Sequence, residues 1–173
     1  RARVVIQIDA PKGLDDLFWP LLGWLVGKHA PDRIPLVNGL EGLAASRDDL
    51  KAMCAAFGTT SGAPMLHVAG HTPEAASCLA PEAPVVTLGP GDFRAAWEAL
   101  NRGEIKVDLV AIGSPHSSLG EVRRLVELFG DRRCAAGVQM IVTLGRDVLR
   151  AAVGEGLVAR LQGAGVRLIP DLC

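Results

Sequence analysis

Aromatic residues and clustered positive charge are scarce in this sequence. Its 173 residues include no tyrosine, 4 phenylalanines and 3 tryptophans. Lysine and arginine are spread along the chain and the formal net charge is -1. The sequence therefore lacks the basic stripe of a nucleic-acid-binding protein and the basic amphipathic helix of a protein bound to a membrane surface. It also lacks an apolar run of the roughly 20 residues that a membrane-spanning helix needs. We expect no nucleic-acid and no membrane partner.

Cysteine is present, but it is not arranged for disulfides or for zinc. Cys54, Cys78, Cys134 and Cys173 are far apart and form no C-x-x-C pair, which argues against a secreted disulfide framework and against a self-contained zinc site. Reduced thiols in the cytoplasm are the simplest interpretation. The sequence opens on Arg1 without an initiator methionine and closes on a cysteine after a predicted strand, so we expect a piece of a larger chain.

Strand patterns alternate with helical patterns along the sequence. This predicts an α/β fold with a mostly parallel sheet and helices on both faces, because parallel strands need crossover connections. The length suits a single α/β domain over residues 1–173, or a compact pair of α/β lobes that split near residues 80–90. The predicted strands cover residues 3–9, 34–40, 64–69, 85–88, 107–112, 138–144 and 166–169. The predicted helices begin near residues 14, 47, 92, 119 and 146.

The first predicted helix has the clearest apolar stripe, over residues 14–26. Pro20 lies within it and should kink or break the helix. Gly23 and Gly27 should allow another backbone to approach closely. Cys54 falls on the apolar face of the second helix, so we expect it in the core.

The strand predicted at residues 107–112 leads into a polar turn. Its apolar run is typical of a strand covered on both faces, and Gly113 and Pro115 should end it. Ser118 and Glu121 form a Ser-x-x-Glu capping box, which predicts that a helix follows directly. A helix N-terminus at the carboxyl edge of a parallel sheet offers N–H groups to an anion. The residues that would line such a site are Ser114, His116, Ser117 and Ser118.

The residues alone leave two interpretations of this turn open. In one, it is a plain strand-to-helix connection whose serines cap and whose histidine is solvated. In the other, the stiff backbone after Pro115 holds His116, a residue type that suits proton transfer or anion binding. A serine hydrolase built from Ser114, His116 and Asp108 is disfavoured. Gly-x-Ser-x-Gly is absent, and residues two apart in a turn cannot pair as nucleophile and base without strain.

A second junction, after the strand that contains His67, repeats this logic. Thr72 suits an N-cap, and Pro73 and Glu74 suit the first turn of a helix. His67 and His71 have the spacing of a zinc pair on a helix, but here they flank a strand-to-loop transition, so we do not expect zinc. We expect His67 to be a buried histidine, and His71 and Glu74 to contact a ligand at the rim of the sheet.

Several stretches together resemble the aconitase X dehydratases. The matching motifs are DDLKA at residues 48–52, SGA at 61–63, H-x-x-G-x-TPEA at 67–75, GSPH-x-SL-x-E at 113–121 and D-x-C at 171–173. The Leu21-Leu22-Gly23 stretch of the first predicted helix also fits the family, so the resemblance covers essentially the whole chain, in order.

This resemblance implies part of a hydro-lyase that dehydrates a small hydroxy acid, either one like cis-3-hydroxy-L-proline or a phosphorylated hydroxy acid. It implies an iron–sulfur cluster or a mononuclear iron as Lewis acid, with Cys173 as a ligand and the other ligands in a missing amino-terminal half. That half and a small swivelling domain or subunit would complete the site, so the isolated piece is expected to be inactive. The implied catalytic residues are Ser114 and His116, and the implied substrate-binding residues are His67, His71, Thr72, Glu74 and Ser118.

Two residues depart from the family's motifs. His71 stands where the family has a small apolar residue, which suggests an altered substrate preference, and Leu172 replaces the threonine of a DTC motif. The alternative function is a non-catalytic α/β module that binds an anion at the turn over residues 113–118. If adjacent parallel strands bring their following loops to one rim, His116, Glu74 and Cys173 should be neighbours.

Overall fold

The structure is a computed structural model that describes residues 1–103 and 106–172. The chain divides into two compact units, Arg1–Arg102 and Gly103–Cys173, so the division falls beyond the 80–90 region that the sequence suggests. All the strand pairings among the described residues are parallel, and the predicted mostly parallel α/β fold is confirmed. No helix in the described part of the chain is long and apolar enough to cross a membrane.

The first unit is built on a four-stranded sheet. Its strands are β1 (Val4–Ile8), β2 (Pro35–Asn38), β3 (His67–Val68) and β4 (Val85–Leu88), in the order β3-β2-β1-β4. Its helices are α1 (Phe18–His29), α2 (Arg47–Thr60) and α3 (Pro90–Leu100), and Pro73–Ser77 forms a short 3-10 helix. Apolar side chains of β1, β2 and β4 pack with all three α-helices in one buried core. The carboxyl ends of the strands are thereby held at one edge of the sheet.

Helices α1 and α2 approach closely where the sequence predicts it. A Cβ at Gly23 would lie 2.1 Å from the carbonyl oxygen of Met53, and one at Gly27 would lie 2.1 Å from Oγ1 of Thr60. The Thr60 hydroxyl donates a hydrogen bond to the carbonyl oxygen of Trp24 at 2.9 Å. The two glycines therefore make room for the backbone of α2.

The first helix begins later than predicted and is not broken by proline. It starts at Phe18 rather than near Leu14, and Leu14 and Leu17 are exposed. Pro20 is the third residue of α1, where a backbone N–H has no partner inside the helix, so proline removes no helical hydrogen bond.

The apolar pattern of α2 predicts Cys54 in the core, but Cys54 is exposed. The surrounding protein nevertheless desolvates the Cys54 thiol and raises its pKa.

The second unit is built on a three-stranded sheet. Its strands are β5 (Leu109–Ser117), β6 (Gln139–Leu144) and β7 (Val166–Pro170), in the order β5-β6-β7. Its helices are α4 (Leu119–Phe129), α5 (Arg146–Gly154) and α6 (Leu157–Gly163). A core of side chains from β6, β7 and the three helices joins them.

Three expectations about this unit are wrong. The strand at residues 107–112 is not covered on both faces in the described unit, since Leu109 and Ile112 point to opposite faces of the sheet and are 54% and 41% exposed. Strand β5 also does not end at Gly113 but continues through the turn to Ser117, with a register shift against β6 after Ile112. The helix predicted from residue 146 to 158 is divided into α5 and α6 at Gly156, whose φ of 71° lies in the left-handed region.

Candidate functional site

The carboxyl ends of β5, β6 and β7 form one edge of the second sheet. Ser117 of β5 is paired with Leu144 of β6, and Leu144 is paired with Pro170 of β7. In a parallel sheet, the residues that follow such paired positions lie next to one another along the edge. Here they are Ser118, the segment that begins at Gly145, and the segment that begins at Asp171. We call this edge the β5–β7 rim.

Gly113 holds the polar turn against strand β6. Its φ is 108°, and a Cβ at this position would lie 2.2 Å from the backbone oxygen of Thr143. The Thr143 hydroxyl donates a 2.5 Å hydrogen bond to the carbonyl oxygen of Gly113. The following Ser114-Pro115 peptide bond is cis. Only glycine fits the contact with Thr143 without displacing backbone atoms, so Gly113 positions the residues that follow it.

Ser118 is the N-cap of helix α4, as predicted. Its hydroxyl accepts a hydrogen bond from the Glu121 amide at 3.1 Å, and the Glu121 carboxylate accepts one from the Ser118 amide at 2.7 Å. This reciprocal pair satisfies N–H groups that the helix itself leaves open. Ser117 is buried and Ser114 is exposed. Of the turn's three serines, Ser114 therefore presents the most accessible side chain.

His116 contacts the segment that follows β7. Its Nε2 lies 3.0 Å from the carbonyl oxygen of Leu172. A carbonyl oxygen can only accept a hydrogen bond, so Nε2 carries the proton and is the donor. The tautomer of the ring is therefore set by a backbone group 56 residues away in the sequence.

Asp171 and Arg146 hold the segment that reaches His116. The Asp171 amide donates to the carbonyl oxygen of Leu144 at 3.0 Å. The Asp171 carboxylate accepts a hydrogen bond from the Arg146 amide at 3.3 Å and forms an ion pair with the Arg146 guanidinium. Helix α5 begins after Gly145, which has no side chain to cap it. Asp171 thus supplies the missing cap from the other side of the rim.

Sequence reasoning misses the Arg146–Asp171 pair. In the sequence, Asp171 stands out only as part of a D-x-C motif, and Arg146 only as the start of a helix. The one available signal is the glycine at the N-cap of α5, because such a helix start leaves N–H groups for an acceptor elsewhere in the chain. Nothing local in the sequence identifies that acceptor.

In the first unit, His71 and Thr72 follow β3 at the carboxyl edge of the sheet. His71 Nε2 lies 3.2 Å from the carbonyl oxygen of Leu40, and its ring packs edge-on against Trp19 with centroids 6.0 Å apart. The sequence predicts that the Thr72 side chain is an N-cap, but its hydroxyl instead bonds both backbone groups of Val68, at 2.9 Å and 3.1 Å. These contacts fix the loop that carries the family's TPEA motif.

The other two candidate residues of the first unit differ in accessibility. His67 is only 7% exposed, as expected for a buried histidine of β3. Glu74 is exposed on the first turn of the 3-10 helix. Glu74 follows β3 of the first sheet and His116 lies within β5 of the second sheet, so their expected proximity stays a prediction.

The described residues contain no group of three or more His, Cys, Asp and Glu side chains that could hold a metal ion. Cys173, the residue expected to bind iron, lies outside the described residues. A cysteine thiolate is the ligand type that iron–sulfur clusters use.

Comparison with known proteins identifies the family. The model of the aconitase X second domain matches residues 2–98, and that of the aconitase X third domain matches residues 107–173. The chain therefore belongs to the aconitase X family. Each matched domain lies within one of the two compact units.

Characterised relatives and a solved structure agree with this assignment. The chain is 41% identical to cis-3-hydroxy-L-proline dehydratase of Pseudomonas aeruginosa, with 100% of the chain and 31% of the relative covered. It is 33% identical to the phosphomevalonate dehydratase large subunit of Aeropyrum pernix, with 100% of the chain and 42% of the relative covered. The crystal structure of Thermococcus kodakaraensis aconitase X (holo-form) superposes with a TM-score of 0.88 at 27% identity, covering 100% of this chain and 44% of that one. The chain thus spans less than half the length of these proteins.

Proposed function

We propose that this chain is part of a hydro-lyase that removes water from a small hydroxy acid. The family assignment and the dehydratase relatives support this proposal. The strongest observation in its favour comes from the β5–β7 rim. There His116 of the GSPH motif forms a hydrogen bond with the carbonyl oxygen of Leu172 in the D-x-C segment. Two motifs 56 residues apart are thereby joined at one place.

The proposed substrate is cis-3-hydroxy-L-proline or a phosphorylated hydroxy acid. Relatives of both kinds match the chain, and identity is higher to the hydroxyproline enzyme, 41% against 33%. We favour the hydroxyproline class for that reason. His71 and Glu74 are the proposed substrate contacts of the first unit. His67 and Thr72 would shape the wall behind them, since His67 is buried and the Thr72 hydroxyl is bound to Val68.

Dehydration breaks two bonds and forms a double bond. A base removes the proton next to the carboxylate, the C–H electron pair forms a carbon–carbon double bond, and the hydroxyl group takes up a proton as its C–O bond breaks and leaves as water. We assign Ser114 and His116 to contact with the reacting atoms. The His116 ring, with its tautomer set by Leu172, can exchange a proton at a fixed position. Ser118 would act by directing the N-terminus of α4 toward the substrate's negative charge.

An iron centre fits the donor chemistry of this chain only as a shared group. We propose Cys173 as one thiolate ligand of an iron–sulfur cluster or a mononuclear iron, with the remaining ligands in the amino-terminal half of the protein. When bound, iron would supply Lewis acidity toward the leaving hydroxyl. A thiolate-bound iron centre and three free cysteines among the described residues suit the reducing cytoplasm. A small swivelling domain or subunit is the remaining proposed partner.

The test is dehydration by the full-length enzyme. Purified protein is incubated with cis-3-hydroxy-L-proline and, separately, with mevalonate 5-phosphate, and loss of water is followed by mass spectrometry. We expect turnover of one of them and its reduction in a Ser114→Ala variant. If neither is dehydrated while inorganic phosphate or acetate binds and protects His116 from chemical modification, the anion-binding module is the correct function instead.

A further inference from the structure

The carbonyl oxygen that orients His116 lies in a weakly packed segment. Leu172 follows the end of β7, and its side chain is 49% exposed. Pro170, the last residue of β7, has no N–H to donate. The position of the Leu172 carbonyl therefore depends on the residue before it, Asp171.

Asp171 has a backbone conformation that needs support. Its φ is 56°, in the left-handed region, which is unfavourable for a residue with a side chain although aspartate tolerates it better than most. This conformation turns the chain out of the direction of β7 at the residue before Leu172. Two groups of Arg146, the amide and the guanidinium, bind the Asp171 carboxylate in this arrangement.

We propose that Arg146 is a positioning residue for His116, acting through Asp171 and the carbonyl of Leu172. The inference rests on the proposed function, in which His116 contacts the reacting atoms. Arg146 anchors Asp171 to the start of α5, Asp171 places the Leu172 carbonyl, and that carbonyl fixes the tautomer and the direction of the imidazole. The side chain of Arg146 itself touches no reacting atom in this scheme.

The ion pair between Arg146 and Asp171 is exposed, so a role in positioning His116 can be distinguished from a role in folding stability. The side chains of Arg146 and Asp171 are 79% and 42% exposed, and ion pairs at such positions add little to folding stability. Helix α5 carries a second exposed pair, between Arg150 and Asp147, which has the same chemistry but joins two residues of the helix itself. Arg150→Ala is therefore a matched control for Arg146→Ala.

The experiment compares variants of the full-length enzyme in two measurements. The first is steady-state dehydration. We expect Arg146→Ala to lower kcat about 10-fold, because small displacements of a reacting group cost rates of this order, with KM nearly unchanged. Arg146→Lys, which keeps the charge, should recover part of the loss, and Arg150→Ala should behave as wild type. Equal kcat values for Arg146→Ala and wild type would overturn the proposal, and so would equal losses in both alanine variants.

The second measurement does not depend on activity. Diethylpyrocarbonate modifies histidine rings, and peptide mass spectrometry gives the rate at each one. His29 is exposed on the last turn of α1 and serves as the internal reference. We expect Arg146→Ala to change the His116 rate several-fold relative to His29, and Arg150→Ala to leave it unchanged. If the wild type catalyses no dehydration, the proposed function fails while this ratio still reports on the positioning. An unchanged ratio in Arg146→Ala would refute the positioning itself.

Discussion

Replacing Gly113 by alanine should destabilise the second unit more than the same replacement at Gly137 or Gly154. The new Cβ would lie 2.2 Å from the backbone oxygen of Thr143 and 2.6 Å from its hydroxyl oxygen. Backbone atoms of a central strand cannot move aside easily, so overpacking should cost about 1–3 kcal/mol. The φ of 108° adds about 1–3 kcal/mol of backbone strain for alanine. Together these costs are about 2–6 kcal/mol.

Alanine substitutions at Gly137 and Gly154 separate the cost of overpacking from the cost of backbone strain. Gly137 has a φ of 84° with no atom within 4 Å of its added Cβ, so Gly137→Ala should carry the strain alone, about 1–3 kcal/mol. At Gly154, the last residue of α5, an added Cβ has no atom within 4 Å and φ lies outside the left-handed region. Gly154→Ala should stabilise the unit by about 0.5–1 kcal/mol, because alanine loses less conformational freedom in a helix than glycine.

The assay is the melting temperature of the full-length protein, measured by differential scanning calorimetry. The expected order, from most to least stable, is Gly154→Ala, wild type, Gly137→Ala and Gly113→Ala. The turn beyond Gly113 carries His116, so Gly113→Ala should also reduce turnover at temperatures where it remains folded. If Gly113→Ala melts no lower than Gly137→Ala, the close contact between β5 and Thr143 does not exist as described.

Three further predictions concern single side chains. Ser118→Ala should lower stability by about 1 kcal/mol through loss of the α4 cap, whereas Ser118→Asp, which can still accept from the Glu121 amide, should lose less in the same thermal scan. The raised pKa of the Cys54 thiol should make its alkylation by iodoacetamide at pH 8 slower than that of an unstructured cysteine peptide, with the gap closing as the pH rises; equal rates at pH 8 would contradict the desolvation. Cys173→Ser in the full-length enzyme should lower the iron content per chain measured by plasma emission spectrometry, with Cys134→Ser as the control; unchanged iron would remove the ligand assignment.

The parts of the fold that the sequence predicts correctly depend on local physics. Ser118 with Glu121 caps α4, as predicted, because the two partners lie three residues apart. The close approach of α1 and α2 follows from Gly23 and Gly27, which lie one helical turn apart on α1. Such features need no knowledge of the rest of the chain.

The incorrect predictions concern features of the fold that local sequence patterns do not determine. The apolar run of β5 matches that of a buried strand, but Leu109 and Ile112 are exposed in the described unit. The helical pattern from residue 146 onward continues through Gly156, yet its left-handed φ starts a new helix. Of the candidate site, the motifs predict the polar turn and its cap. They cannot predict the bond from His116 to Leu172, because it joins residues that are distant in the sequence.

The central claim is that His116 at the β5–β7 rim takes part in the reaction. It is tested most directly with a His116→Gln variant of the full-length enzyme, by measuring kcat with the preferred hydroxy acid. Glutamine can still donate a hydrogen bond toward the Leu172 carbonyl, so the rim should keep its shape, but it cannot exchange a proton near neutral pH. If His116 acts on the reacting atoms, kcat should fall by a factor of about 10²–10⁴. A kcat within about two-fold of wild type, well below the effect of general acid–base catalysis, would contradict that assignment.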